Sequence, residues 1–120
     1  MSSTISPNPR RGEVWDVDFN PAVGAEIQKI RPAVVVSLNG IGRLPVKLVA
    51  PITDWKAQFS GRIWLINVKP TNTNGLIKES AVDALQVKSL DMQRFLTKRG
   101  QFTAMLMDEI GAAIAAIIGY

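Results

Sequence analysis

Neither histidine nor cysteine occurs among the 120 residues. Thiolate chemistry, disulfides and sulfur-ligated metals are therefore excluded. The commonest zinc ligand and the usual near-neutral general base are missing too. Any catalysis falls to Arg, Lys, Glu, Asp, Ser, Thr, Tyr or Gln. The basic residues are unevenly spread. Between Lys29 and Lys69 the chain carries Lys29, Arg31, Arg43, Lys47, Lys56, Arg62 and Lys69 against Asp54 alone, within a formal net charge of +4. That excess suits a polyanion, although ordinary soluble surfaces show it as well.

The elements that must position these side chains are short. Glu13–Phe19 alternates apolar and acidic residues, with Trp15 breaking the period, and predicts a strand. Asn20-Pro21 ends it, and 22–30 reads as a loop with Gly24 as its flexible point. Pro32–Leu38 is a β-branched run expected as a strand buried on both faces. Val46–Ile52, Gly61–Val68 and Glu79–Val87 follow as strands, the last with some helical character from Ala and Leu. Asp91–Phe95 fits one helical turn. From Thr103 the spacing of Leu106, Ile110, Ala113, Ile114, Ile117 and Ile118 predicts a helix that ends at Gly119. Thr103 is its expected cap, Phe102 its staple against Met107, and Asp108 and Glu109 are expected to favour its dipole. Its last turns have almost no polar face and need cover from the sheet or a second subunit. Many short strands and one terminal helix imply a mainly β fold, a small, strongly bent antiparallel sheet or open barrel closed by the helix. One domain is expected over 11–120, after a flexible tail at 1–10. With 47% apolar and 20% charged residues the chain is of ordinary globular composition. No apolar run reaches the roughly 18–20 residues of a membrane span, and no signal peptide is evident, so a cytoplasmic protein is expected.

Four stretches, in this order, carry a resemblance. They are RGEVWDVDF at 11–19, NPAVGAEIQKIRPAVVVS at 20–37, APIT at 50–53 and, more weakly, GLIKESAVDALQVKSLD at 75–91, continuing toward the C-terminus. Together they resemble the MazF/PemK toxins of type II toxin–antitoxin systems. The resemblance implies an SH3-like small barrel, a homodimer, sequence-selective cleavage of single-stranded RNA without metal or cofactor, and a MazE-like antitoxin whose acidic, flexible segment fills the RNA groove.

Metal-free RNA cleavage needs an acceptor for the 2′-hydroxyl proton, a proton for the leaving 5′-oxygen and donors to the phosphorane. The resemblance puts Arg31 in the family's catalytic position, before the Pro that opens the second strand, where a guanidinium fork would bind phosphate and stabilise the transition state, with proton donation as a further role open to it. It puts Thr53 in the position of a hydroxyl donor to the scissile phosphate. Glu26, at the G-A-E-x-x-x-x-R-P spacing, would take the 2′-hydroxyl proton or orient Arg31. Gln86 would bond a base or support Arg31. Lys29, Lys56, Phe59 and Arg62 are the remaining candidates for substrate contact. Each has a plain structural alternative: a surface Arg at a strand start, a turn Thr before Asp54, a loop Glu paired with Lys29, a solvent-facing Gln. Among the aromatic residues Trp15, Phe19, Phe59 and Trp64, the first two are favoured as core and Phe59 as a stacking face.

The sequence also departs from the family's pattern. Ala25 replaces the usual Ser, Ile27-Gln28-Lys29-Ile30 replaces a Gly-containing turn, and Leu85 stands where an Asp normally precedes the Gln. An Asp lies two positions earlier, at Asp83. Two readings of other kinds compete: a non-catalytic toxin of the CcdB type that binds a protein, and an RNA-binding module without cleavage.

Overall fold

The computed structural model describes residues 7–120. Among them are β1 (Glu13–Asp18), β2 (Ile30–Val35), β3 (Val46–Asp54), β4 (Leu65–Val68), β5 (Ser80–Asp83), β6 (Lys88–Asp91), β7 (Phe95–Gln101) and one α-helix, α1 (Ala104–Ile117). The strands run antiparallel in the order β4-β5-β3-β2-β1-β7, with β6 alongside β3. β4 and β7 end that order without pairing with each other. The sheet is thus strongly bent and open.

Alternation along the strands buries both faces. Val14, Val34, Ala50, Ile52 and Val82 meet Phe102, Met107 and Ile110 of the helix segment. Val17, Ala33, Val35 and Val49 lie on the other face with Phe19, Leu90 and Phe95. There Ile27 and Trp15 complete the layer, the indole standing edge-on to Phe95 at 6.0 Å between ring centroids.

Two prolines decide where the strands part. The Val36 N–H donates to the Leu48 carbonyl across the β2–β3 pair. Backbone polar groups alternate sides along a strand, so Pro32 turns its nitrogen toward β3. It has no N–H to give, and the β2–β3 register stops one residue earlier, at Ala33 opposite Pro51. By the same alternation Pro51 turns toward the other edge of β3. That edge is occupied first by β6 and then by β5, and between them the chain leaves the ladder as a 3-10 turn at Ala84–Gln86.

The helix is capped as expected: Thr103 Oγ1 accepts from the Leu106 N–H at 3.2 Å. Phe102 and Met107 are both buried in the core on that side, as a staple requires. Gly119 closes the helix at φ 76°. No acidic residue lies in the first turn, so Asp108 and Glu109 sit too far along for the dipole to reward them. Ile114 and Ile117 pack against the core, whereas Ile118 is 71% exposed.

Other expectations shift. Residues 61–64 form turn rather than strand, leaving β4 at four residues. The strand expected at 79–87 is β5 plus the turn, and β6 and β7 were not foreseen. Of the tail expected at 1–10, residues 1–6 lie outside the described part. Pro9 is fully buried and the Arg10 N–H donates to Glu13 Oε1, so residues 7–10 belong to the fold.

Candidate active site

Arg31 and Thr53 lie where β2 and β3 diverge. Continuing the register two residues beyond Ala33 and Pro51 sets Arg31 opposite Thr53. Neither is held by a β2–β3 ladder bond there. Both border one cleft of about 210 Å³, together with Pro32, Asp54, Lys78 and Arg99. Alternation turns Arg31 and Thr53 to the face carrying Ala33, Val35 and Val49, away from the helix. Arg31 is half-buried, and its Nε donates to the Gln28 carbonyl at 3.2 Å, while its two terminal nitrogens meet no acceptor among the described residues.

The loop between β1 and β2 folds over the same face, because Ile27 packs beside Val17 and Phe19. Its neck is closed at Lys29, which adopts φ 69°, a left-handed backbone uncommon for a residue with a Cβ. Two hydrogen bonds hold it there, Phe19 N–H to the Lys29 carbonyl and Lys29 N–H to Asn20 Oδ1, both at 3.0 Å. The Lys29 side chain is exposed. Glu26 does not line the cleft of Arg31 and Thr53; it lies in a separate depression with Ile27, Leu85, Gln86, Val87 and Lys88. Its Oε1 accepts from the Val23 N–H at 2.7 Å and stands 4.0 Å from Lys88 Nζ. The sequence had paired this carboxylate with Lys29 as its structural alternative; Lys88 takes that place.

Gln86 does not sit on a solvent-facing strand. It ends the 3-10 turn, and both ends of its amide are engaged. Oε1 accepts from the Ile27 N–H at 2.7 Å, and Nε2 donates to Asp83 Oδ2 at 3.1 Å. Asp83 also caps the turn, its Oδ1 accepting from the Leu85 N–H. Burial pushes the Asp83 carboxyl above the usual carboxylate range, although the Leu85 and Gln86 donors act against it. Leu85, at the usual Asp position, is exposed.

Lys56 and Arg62 are exposed on the segment after β3. Phe59, half-buried on the same segment, packs edge-on against Trp55 at 5.7 Å. Trp64 is half-buried, and Phe19 is fully buried and unavailable for stacking. These residues lie outside the cleft that Arg31 and Thr53 border.

Sequence reasoning missed the far wall of the cleft. Lys78 pairs with Asp54 at 3.0 Å. Arg99 on β7 reaches Asp16 at 3.2 Å and grips the Gly75 carbonyl with Nε and a terminal nitrogen, at 3.0 and 2.7 Å. That grip needs backbones in contact. A Cβ on Gly75 would strike the Arg99 backbone, and one on Gly100 the Thr73 carbonyl. The basic T-K-R-G at 97–100 and the Asn74-Gly75 pair were the available signals, without a strand assigned to connect them.

Bent sheet, terminal helix and an Arg–Thr pair at a strand divergence define a small β domain whose cleft offers cationic and hydroxyl donors. Comparison with known proteins narrows this. Residues 10–118 match the family of PemK-like, MazF-like toxins of type II toxin–antitoxin systems, and the chain belongs to that family. The endoribonuclease MazF9 of Mycobacterium tuberculosis is 32% identical over 111 residues, covering 88% of this chain and 92% of the relative. MazF of Deinococcus radiodurans superposes with a TM-score of 0.76 at 23% identity, covering 93% of this chain and 97% of that one. A mycobacterial endoribonuclease in complex with its cognate antitoxin superposes at 0.72 and 19% identity, covering 93% and 96%. The membership inferred from the ordered motifs and the bent-sheet fold inferred from the strand pattern are thereby established.

Proposed function

We propose that this protein is the toxin of a type II toxin–antitoxin system and that it cleaves single-stranded RNA endonucleolytically, without a metal ion. The observation that carries this reading is that Arg31 and Thr53 border one cleft where the pairing of β2 with β3 stops at Pro32. In the proposed reaction the 2′-oxygen attacks the adjacent phosphorus. Its proton passes to a carboxylate, and the P–O5′ bond breaks. The products are a 2′,3′-cyclic phosphate and a 5′-hydroxyl, whose oxygen takes a proton from water. Arg31 offers two terminal nitrogens to the equatorial oxygens and Thr53 one hydroxyl, both gaining strength as charge builds on phosphorus. RNA is the substrate because the route uses its own 2′-hydroxyl.

Glu26 is the proposed proton acceptor. Its Oε1 is occupied, while no donor among the described residues meets Oε2. The exposed Lys29, Lys56 and Arg62 are proposed to steer the strand, and Phe59 to stack on a base. The partners follow from the family: an antitoxin with an acidic segment, and a second copy of the chain covering apolar residues such as Ile118. Among the described residues no helix is long and apolar enough to cross a membrane, and the proposed place of action is the cytoplasm.

The test is purified protein with a defined single-stranded RNA in EDTA, the ends mapped after incubation. New 5′-hydroxyl ends at a restricted set of sites are expected, and none with Arg31→Ala. Binding without cleavage would turn the reading to an RNA-binding module. Neither binding nor cleavage would turn it to a toxin that acts on a protein. Cleavage only with added Mg²⁺ would defeat the metal-free route.

A further inference from the structure

Asp83 is half-buried, one strand away from the Arg31–Thr53 gap. Thr53 is registered against Ala81, so Asp83, two residues on, is turned to the face that carries Thr53 and Arg31. The resemblance offers no role for it, since the carboxylate expected beside Gln86 is replaced by Leu85.

Its bonds lead toward the guanidinium. Asp83 Oδ2 accepts from Gln86 Nε2 at 3.1 Å. Gln86 Oε1 accepts from the Ile27 N–H at 2.7 Å, joining residues 59 apart in the chain. The next residue, Gln28, gives its carbonyl to Arg31 Nε at 3.2 Å. A carboxylate has no hydrogen to donate. It therefore fixes which end of the Gln86 amide faces it, and so which end faces the loop. With the amide reversed, NH₂ would oppose the Ile27 N–H, donor against donor.

We infer that Asp83 is a positioning residue: through Gln86 it fixes the Ile27–Gln28 backbone, and through that backbone the side chain of Arg31. This deepens the proposed nuclease function and rests on it. It also assigns Gln86 to the support of the loop rather than to a base of the RNA.

The rival role for Asp83 is only to cap the 3-10 turn through the Leu85 N–H. Asp83→Ser separates the two, because a Ser hydroxyl keeps the cap and offers no second oxygen for Gln86. Two readouts are needed in the full chain: exchange of the Ile27 amide hydrogen followed by NMR, and steady-state cleavage of a defined RNA. In Asp83→Ser the Ile27 amide should exchange faster. kcat should fall about 10- to 100-fold, the scale of a small misplacement of a reacting group, with KM changed less. Gln86→Ala should do the same, and the double variant should be no worse than either alone. Unchanged Ile27 exchange in Asp83→Ser would overturn the relay. So would faster exchange with unchanged kcat, since Arg31 would then not depend on the loop. A wild-type protein that cuts no RNA would defeat the nuclease reading instead, while the exchange data would still decide whether Asp83 holds the loop.

Discussion

Replacing Glu13 by Gln should destabilise the protein near neutral pH and do progressively less in acid. The carboxylate ties three segments together. Oε1 accepts from the Arg10 N–H at 2.9 Å and from Trp15 Nε1 at 3.0 Å, and Oε2 pairs with Lys98 Nζ at 2.9 Å. Burial pushes this carboxyl up, but the Arg10, Lys98 and Trp15 donors outweigh it and hold it below the usual range. A carboxyl whose folded pKa is depressed contributes stability above its unfolded pKa of about 4.3, and loses it as pH falls through the folded value. Glutamine keeps an acceptor but no charge. Weakening two charge-assisted bonds costs about 0.5–1 kcal/mol each. The ion pair adds at most about 1 kcal/mol, because the lysine is half exposed. A loss of about 1–3 kcal/mol at pH 7 corresponds to about 4–12 °C in Tm for a chain of this size. Thermal melts of wild type and Glu13→Gln from pH 7 to about pH 3 measure it. A gap that stays constant across that range, or is absent at pH 7, would refute the assignment of the stabilisation to the ionised carboxylate.

Arg31→Ala should abolish cleavage with less than about 1 kcal/mol change in stability, since one 3.2 Å bond to Gln28 is its main structural tie. Arg31→Lys should lose at least about 100-fold in kcat, because an ammonium cannot reproduce the planar fork; the same cleavage assay reads both. Gly100→Ala should cost about 1–3 kcal/mol by forcing the Thr73–Gly75 backbone away. Gly111→Ala, where an added Cβ meets nothing within 4 Å, should instead stabilise α1 by about 0.5–1 kcal/mol; chemical denaturation compares the two. Ile117→Asp should lower Tm through the core it packs against. Ile118→Asp should leave intrachain packing intact and shift mass by light scattering toward monomer if a second copy covers the helix end.

How far the sequence reached depended on what each signal was local to. The helix was legible almost to the residue, because the Thr103 cap, the Ile spacing and Gly119 act within a few positions. β1, β2 and β3 followed from β-branched runs flanked by Pro, Asn and Gly. Arg31 and Thr53 were paired by family resemblance, and both border one cleft. β7 escaped because F-L-T-K-R-G-Q has no clean alternation; it is held by β1, with two register shifts, and by the Thr73–Gly75 loop. Glu79–Val87 failed as a single strand for a non-local reason. The break at Ala84–Gln86 lies opposite Pro51, more than thirty residues earlier, and lets Asp83 and Gln86 turn toward a loop nearly sixty residues away. The bonding of Gln86 to Ile27 has no sequence signature at all.

β3 has a consequence for how the molecule comes apart. One strand of nine residues lies against β2 on one side and against β6 and β5 in succession on the other. Its side chains serve the hydrophobic layers on both faces. Neither half can detach while the other persists, because each would have to keep or surrender the same strand. Loss of structure should then be a single cooperative event, and a chain severed within 46–54 should have no partly folded refuge.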